Sequence, residues 1–280
     1  MPKVSIITAS YNYAQYIRDA IESVIGQTFQ DWEMLIIDDG STDNSAEIID
    51  EYIKKDNRIR LYSHLNNKNK GLIETLKLGI SQAKGEYIVF LESDDYIEKD
   101  YLQKKLETFE KYSDAGFVYN DVEILGSKLT LPKKIYFWTI RHYWKNHNYP
   151  HHIYEWMYLK NFVPTFSCVM LKKELLEDIN WNTPVESCID WWLWTQISQK
   201  TKFCYLPDKL TYWRLHLDSY IKQSKKEDRK KMPTYHTLLY SMLPPMKQWN
   251  NKLIFIPKQI LLSLEYRKNT LSNLKHIFKK

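Results

Sequence analysis

Three carboxylates crowd together at Glu92, Asp94 and Asp95, directly after the apolar run Tyr87 to Leu91. That run, Tyr-Ile-Val-Phe-Leu, has the β-branched and aromatic character of a buried strand in a parallel sheet. Acids gathered at the C-terminal end of such a strand are costly to hold together without a cation. In open α/β sheets that edge is where ligands bind. Hard oxygen donors there suit Mg²⁺ or Mn²⁺ carried with a phosphate group. A solvated acidic turn leading into the next helix is the alternative, because short acidic clusters are common. A second acidic strand end, Asp38-Asp39, closes the run Trp32 to Ile37. Asp190 stands near the start of an apolar helical pattern made by Ile189, Leu193 and Ile197 with neighbouring tryptophans. The helix dipole favours a carboxylate there and keeps it ionised, which suits a general base. A helix-terminal charge without chemistry is the alternative.

The elements that must position these acids follow from periodicity. Val4 to Thr8 reads as a first strand, followed by the polar loop Ala9 to Tyr13. Ile17, Ala20, Ile21, Val24 and Ile25 fall at helical spacing, and the helix ends near Gly26. Trp32 to Ile37 is a second strand. Ser41 or Thr42 can cap the helix whose apolar face is Ala46, Ile48, Ile49 and Ile53. Arg58 to Ser63 is a third strand, Leu72 to Ala83 a helix, and Glu86 to Leu91 the strand that carries the acids. Ala115 to Glu123 reads as another strand with a polar end, and Phe162 to Leu171 as a return strand. The order β-α-β-α-β-α-β predicts an α/β fold, a Rossmann-like, doubly wound, mostly parallel sheet flanked by helices. No G-x-G-x-x-G follows the first strand and no G-x-x-x-x-G-K-[ST] occurs. Phosphate must then be handled by metal and loops rather than by a glycine cradle.

Composition divides the chain. All seven glycines lie at or before Gly126, whereas nine of ten tryptophans lie after residue 130. The first part is therefore tightly turned and the later part aromatic-lined. Residues 220–280 carry 14 Lys/Arg against 3 Asp/Glu, a net of +11, which leaves −5 for the rest of a chain of net charge +6. The basic surplus belongs to the tail and not to the acidic site. Three scattered cysteines, Cys168, Cys188 and Cys204, read as reduced core residues of a cytoplasmic protein. No secretory leader and no membrane-length apolar run is recognised.

Four blocks carry a resemblance. They are Pro2 to Asn12 (Pro-Lys-Val-Ser-Ile-Ile-Thr-Ala-Ser-Tyr-Asn); Ile25 to Phe29 with Trp32-Glu33; Ile37 to Asp43 (Ile-Asp-Asp-Gly-Ser-Thr-Asp); and Gly85 to Ile88 leading into Ser93-Asp94-Asp95. In this order and spacing they resemble family 2 glycosyltransferases of the GT-A fold, strongly over about the first 125 residues and more weakly to about residue 220. The resemblance implies inverting transfer of a sugar from a nucleotide-sugar, usually a UDP-sugar. It implies that Thr8, Tyr11 and Asp39 contact the nucleotide base, that Asp94 faces the ribose, and that Asp95 or Asp94 holds the metal on the diphosphate. The family usually shows Asp-x-Asp-Asp; here the first acid is Glu92, whose longer arm reaches the same ribose or metal or points away. Many relatives carry Ala-Arg-Asn where this chain has Thr75-Leu76-Lys77, so a nucleotide contact from that arginine is not expected; Lys70 and Lys77 are either substitute charges or, the favoured reading, solvated lysines.

Further along, Tyr119, Asn120 and Asp121 either line the donor sugar or form a buried strand end. Residues 126–165 are rich in Tyr, Trp, Phe and His, either an acceptor-binding aromatic wall or the packing of a long connection. His147, His151 and His152 lack a carboxylate or cysteine partner at ligand spacing, which argues against a metal there. Val185 to Trp194 resembles the family's Glu-Asp-x-x-Leu-Trp segment, in which the Asp is the catalytic base. Asp190 matches, Ile189 replaces the Glu, and Glu186 is the reserve. Leu210 to Ser219 resembles the family's Tyr-Arg-x-His-x-x-Ser segment, so that Arg214 or His216 meets the diphosphate and His216 can ligate the metal.

These readings give a GT-A catalytic domain over 1–220, with a nucleotide-sugar half at 1–125 and an acceptor half at 126–220. A basic helical extension follows at 221–280. The extension suits an anionic membrane surface bearing lipid-linked acceptors, a homodimer contact, or docking on its own domain; nucleic acid is not expected. The location expected is cytoplasmic, peripheral at the inner face of the membrane. Partners are a nucleotide-sugar donor and a glycan or lipid-linked saccharide acceptor. A nucleotidyltransferase is a rival, but Ala9 to Tyr13 holds no Lys, Arg or Gly to grip phosphate. A non-catalytic nucleotide-sugar-binding subunit is the rival of another class.

Overall fold

The structure, a computed structural model, describes residues 1–126, 150–154, 157, 161–216 and 231. The first half is a repeated strand-helix unit. Strands β1 (Val4–Ser10), β2 (Trp32–Asp38), β3 (Ile59–Ser63) and β4 (Tyr87–Phe90) pair in parallel. Helices α1 (Ile17–Ile25), α2 (Ser45–Ile53) and α3 (Leu72–Gln82) connect them. Every residue of β2 and of β4 is buried, as strands covered on both faces require.

Alternation along the strands builds two cores. Ile7, Leu35, Ile37, Ile88 and Phe90 face one side and pack with α3. Val4, Ile6, Met34, Ile36 and Val89 face the other and pack with α1 and α2. On the first side α3 comes so near the sheet that a Cβ at Gly79 would meet Ile7 Cγ2 at 2.5 Å. A larger residue there would force the helix off its strands.

The second half turns the sheet antiparallel. β5 (Tyr96–Ile97) follows the acidic turn, and α4 (Tyr101–Lys111) packs on the core that holds α1 and α2. β6 (Ala115–Gly126) leads to β7 (Val169–Lys172), which lies antiparallel between β4 and β6. Helix α5 (Ile189–Lys200) covers the first core, and β8 (Lys202–Leu215) returns parallel to β6 and antiparallel to β5. The sheet order is β3-β2-β1-β4-β7-β6-β8-β5.

Several expectations change in detail. β1 runs to Ser10, two residues past its expected end, because it stays in register with β2 as far as Asp38. Residues 162–171 are not one return strand: a 3-10 turn at Phe166–Cys168 comes first, and pairing starts only at Val169. Neither Ser41 nor Thr42 caps α2. Ser41 Oγ donates to Asp38 Oδ1 at 2.5 Å, and Asp43 Oδ1 accepts from Ser45 N–H at 3.0 Å. Among the described residues no helix is long and apolar enough to cross a membrane. The basic extension expected at 221–280, Lys231 apart, and the aromatic cluster Tyr136 to His147 lie outside the described residues.

Candidate active site

The strand ends place the acids. β1, β2 and β4 all finish on one edge of the sheet, so the loops carrying Tyr11, Asp39 and the Glu92–Asp95 turn meet there. The loops after β1 and β2 are stitched together. Asn12 Oδ1 accepts from Thr42 N–H at 2.7 Å, Asn12 N–H donates to Ser41 Oγ at 3.0 Å, and Ala14 N–H donates to Asp43 Oδ2 at 3.0 Å. Burial pulls the Asp43 carboxyl upward, but the hydrogen bonds from Ser45 and Ala14 outweigh it and hold it below the ordinary range.

Asp39 is 5% exposed and is gripped by the backbone ahead of α3. Its Oδ1 accepts from Lys70 N–H at 2.7 Å and its Oδ2 from Gly71 N–H at 2.9 Å. Tyr11, 44% exposed, presents its ring at the same edge. Thr8 is fully buried, carried back from the edge by the longer β1, and its hydroxyl has no hydrogen-bond partner among the described residues. Leu76, where relatives carry arginine, is 3% exposed in the core. Lys77 donates to Glu74 at 2.7 Å on the outer side of α3. Lys70 serves Asp39 through its backbone N–H.

The Glu92–Asp95 turn splits by depth. Asp95 is 0% exposed: its Oδ2 accepts from Ser167 Oγ at 2.6 Å and its Oδ1 from Arg214 N–H at 2.9 Å. Burial, then the charges of Glu92 and Asp94, push its carboxyl well above the usual range. Glu92 N–H donates to Ser167 Oγ at 3.0 Å, and its carboxylate accepts from the Thr165 hydroxyl. Burial, then the charge of Asp94, push Glu92 up to about 8. Asp94 turns the other way and meets His216 Nε2 at 2.8 Å. The His216 ring packs against Tyr16 and Tyr13, with centroids at 4.9 and 5.8 Å.

The structure therefore brings Asp94 and His216 together and turns Asp95 inward from them. Among the described residues no group of three or more His, Cys, Asp or Glu has the geometry of a metal site. A carboxylate and an imidazole nonetheless fit a Mg²⁺ or Mn²⁺ ion completed by phosphate oxygens. The nitrogen that faces Asp94 is Nε2, the one an ion shared with that carboxylate would take; among the described residues the buried Nδ1 has no hydrogen-bond partner. The Arg214 guanidinium points elsewhere. It donates to Asp19 Oδ2 at 2.7 Å and lies 4.6 Å from the Tyr16 ring centroid.

Asp190 sits in the first turn of α5, as expected. Its Oδ2 accepts from Asn161 Nδ2 at 2.7 Å. Burial raises its carboxyl to about 6, so desolvation overrides the helix dipole that would hold it lower. Its charge in turn helps raise Glu92, which puts the base candidate within electrostatic reach of the acidic turn. Glu186, in the 3-10 turn just before α5, lies instead beside Gly71 at the start of α3, where Oε1 is 3.0 Å from the position a Cβ would take. Tyr119, Asn120 and Asp121 are buried, and Asn120 Nδ2 bridges the Asp121 carbonyl and Thr211 Oγ1 at 2.6 and 3.1 Å. Asn161, Thr165 and Ser167 were not anticipated as site residues. They reach acids 29 to 75 positions away, and no local spacing signals that.

The model of glycosyl transferase family 2 matches residues 5–180. The chain belongs to that family. It is 43% identical over 107 residues to the putative glycosyltransferase EpsH of Bacillus subtilis, a stretch covering 38% of this chain and 30% of EpsH. The chain spans less than two thirds of the length of the curated relatives it matches. Among solved structures it is similar to Staphylococcus aureus TarS 1-349 in complex with UDP-GlcNAc (TM-score 0.64, 17% identity, 88% of this chain and 68% of that one). It is also similar to the mannosyltransferase PcManGT of Pyrobaculum calidifontis in complex with GDP-Man and Mn²⁺ (TM-score 0.64, 16% identity, 94% and 69%). These likenesses establish the GT-A architecture of this glycosyltransferase family member.

Proposed function

We propose that this family 2 chain is an inverting, divalent-metal-dependent glycosyltransferase. In this reading it moves one sugar from a UDP-sugar to a glycan or lipid-linked acceptor. The observation that carries the reading is the gathering of Asp39 and the Asp94–His216 pair at the edge where β1, β2 and β4 end, with Asp190 in electrostatic reach of the same acidic turn.

The base lies against Tyr11 and hydrogen-bonds to Asp39, while Thr8, fully buried behind that edge, supports the strand beneath. Asp94 and His216 would hold the metal, and its charge would offset the charge that builds on the leaving diphosphate. Asp95 keeps the turn in place from below, and Glu92 braces it through Thr165. Asn161 holds the Asp190 carboxylate through Oδ2, and that carboxylate takes the acceptor hydroxyl proton. The acceptor oxygen bonds to the anomeric carbon as the bond to the diphosphate oxygen breaks, and one displacement inverts that centre. Arg214 serves the diphosphate only if it leaves Asp19; where it stands it holds the end of β8 against α1.

The division into a catalytic domain at 1–220 and a basic extension at 221–280 belongs to the same reading, supported by the +11 charge of the last 61 residues. That charge suits an anionic membrane surface. Titration calorimetry of UDP, GDP and several UDP-sugars, with and without Mn²⁺, tests the core of it. Metal-dependent UDP binding that disappears in Asp94→Ala is expected; no nucleotide binding under either condition would sink the reading.

A further inference from the structure

The acid expected at the nucleobase is held from a side that the family resemblance does not supply. His64 follows the last residue of β3, and its ring is directed at Asp39, with Nε2 3.6 Å from Asp39 Oδ1. The same nitrogen lies 3.2 Å from Thr75 Oγ1. Thr75 Oγ1 already donates its single proton to Gly71 O at 2.8 Å. Towards His64 it can therefore only accept, so the His64 proton sits on Nε2. That N–H lies between Thr75 and Asp39.

The segment is built to hold this place. Asn66 and Asn67 both adopt positive φ, 60° and 48°, and Asn67 N–H closes on His64 O at 2.9 Å. The loop presses on the residue after Asp39: a Cβ at Gly40, itself at φ +79°, would meet Asn67 O at 2.5 Å. The His64 and Asp39 side chains are only 13% and 7% exposed. Asp39 thus has Lys70 N–H and the His64 side on one oxygen and Gly71 N–H on the other. Its carboxylate plane cannot rotate without breaking a contact. Thr75 and Leu76 replace the residues that many relatives carry here. Leu76 is buried, while Thr75 is what orients His64.

We propose that His64 is a positioning residue of the nucleobase subsite. It locks Asp39 as an acceptor for the imino N–H of a uracil-type base. An ionised carboxylate only accepts, so a fixed Asp39 rewards uracil, which carries a proton on N3, and opposes cytosine, whose N3 carries a lone pair. A carboxylate free to turn would discriminate less. This rests on the reading of Asp39 as the base contact.

The test is calorimetric titration of UDP and CDP into the full chain with Mn²⁺, for the wild type, His64→Leu, His64→Gln and Thr75→Val. Thermal midpoints are recorded for each, and turnover is measured on the acceptor found active. The wild type is expected to favour UDP over CDP. His64→Leu is expected to weaken UDP at least about tenfold and narrow the UDP/CDP ratio, raising the donor KM while kcat at saturating donor stays within about twofold. His64→Gln, which retains an N–H donor, is expected to recover most of the affinity. Thr75→Val is expected to resemble a milder His64→Leu. UDP affinity and selectivity unchanged in a folded His64→Leu would overturn the proposal while leaving the base contact intact. His64→Gln as weak as His64→Leu, at equal thermal midpoints, would overturn the bridging N–H. A wild type that binds no uridine nucleotide would remove the Asp39 reading and this proposal together.

Discussion

The two halves of the sheet hold their carboxylates in opposite ways. On the β1–β3 side, Asp39 and Asp43 sit in loops and take backbone N–H donors from nearby segments. The Ser45 hydroxyl, with those donors, holds Asp43 below its ordinary range. Where β4 meets the returning strands, Glu92, Asp95 and Asp190 each take a side-chain donor, Thr165, Ser167 and Asn161, to which Asp95 adds the Arg214 N–H. There burial dominates and every one of the three is pushed upward. A carboxylate bathed in N–H groups is a fixed charge, suited to binding. A carboxylate sunk among hydroxyls and aromatic rings is raised by desolvation, and at Asp190, where the value is about 6, this suits proton exchange. The difference tracks composition: the glycine-bearing half offers turns with free backbone donors, and the tryptophan-bearing half offers desolvation.

The largest way to break the comparison lies at Asp190. Asp190→Asn is expected to lower kcat by roughly 10²–10⁴-fold with the native acceptor. UDP affinity should stay unchanged, so turnover near wild type would remove Asp190 from the base role.

Next come the two neighbours in the acidic turn, which should fail differently. Asp95→Ala strands the Ser167 hydroxyl and Arg214 N–H and is expected to cost roughly 2–4 kcal/mol in denaturant unfolding. Asp94→Ala should leave the unfolding midpoint nearly in place and abolish the metal-dependent part of UDP binding. Equal stability losses in both would erase the division by depth.

A pH series sharpens the reactive side. Asp190 must be deprotonated to take a proton, and its carboxyl is raised to about 6. The kcat/KM limb should therefore climb between about pH 5 and 7 and be missing in any residual activity of Asp190→Asn. A limb near pH 4 would mean that burial is not the governing influence.

The smallest effect is expected at Asp43. Its folded-state carboxyl lies below the unfolded value, so its contribution is present above about pH 4 and fades as pH falls through the folded value. Because the group is exposed, Asp43→Ala should cost only roughly 0.5–1 kcal/mol at pH 7. The difference from wild type should shrink in acid; a constant difference from pH 7 to pH 3 would show that the ionised form is not what matters.

The parallel half was legible because its signals are local. β2, β3 and β4 and the helices α1 and α3 lie within two residues of where their apolar periodicity puts them. α4 escaped notice because Lys105 takes a core position in it, fully buried and donating to Val118 O and Cys168 O at 3.1 and 2.7 Å. β8 escaped because its middle, Pro207 to Lys209, is exposed and interrupts the alternation, while its pairing to β6 shifts register at the bulge. Asn161, Thr165 and Ser167 escaped because a hydroxyl or amide acquires meaning only from the acid it meets.

The succession of the first four strands, the acids at the ends of β2 and β4 and the place of Asp190 on its helix were settled by the sequence alone, since each depends on the spacing of residues close in the chain. Which acid faces the cleft was settled only by the tertiary structure. Asp94 and Asp95 are adjacent and chemically identical. Ser167 and Arg214, 72 and 119 residues further on, draw Asp95 into the core, and His216 draws Asp94 out of it. Hydrogen bonds and burial act through space, and so the fold assigns these two neighbouring carboxylates different environments.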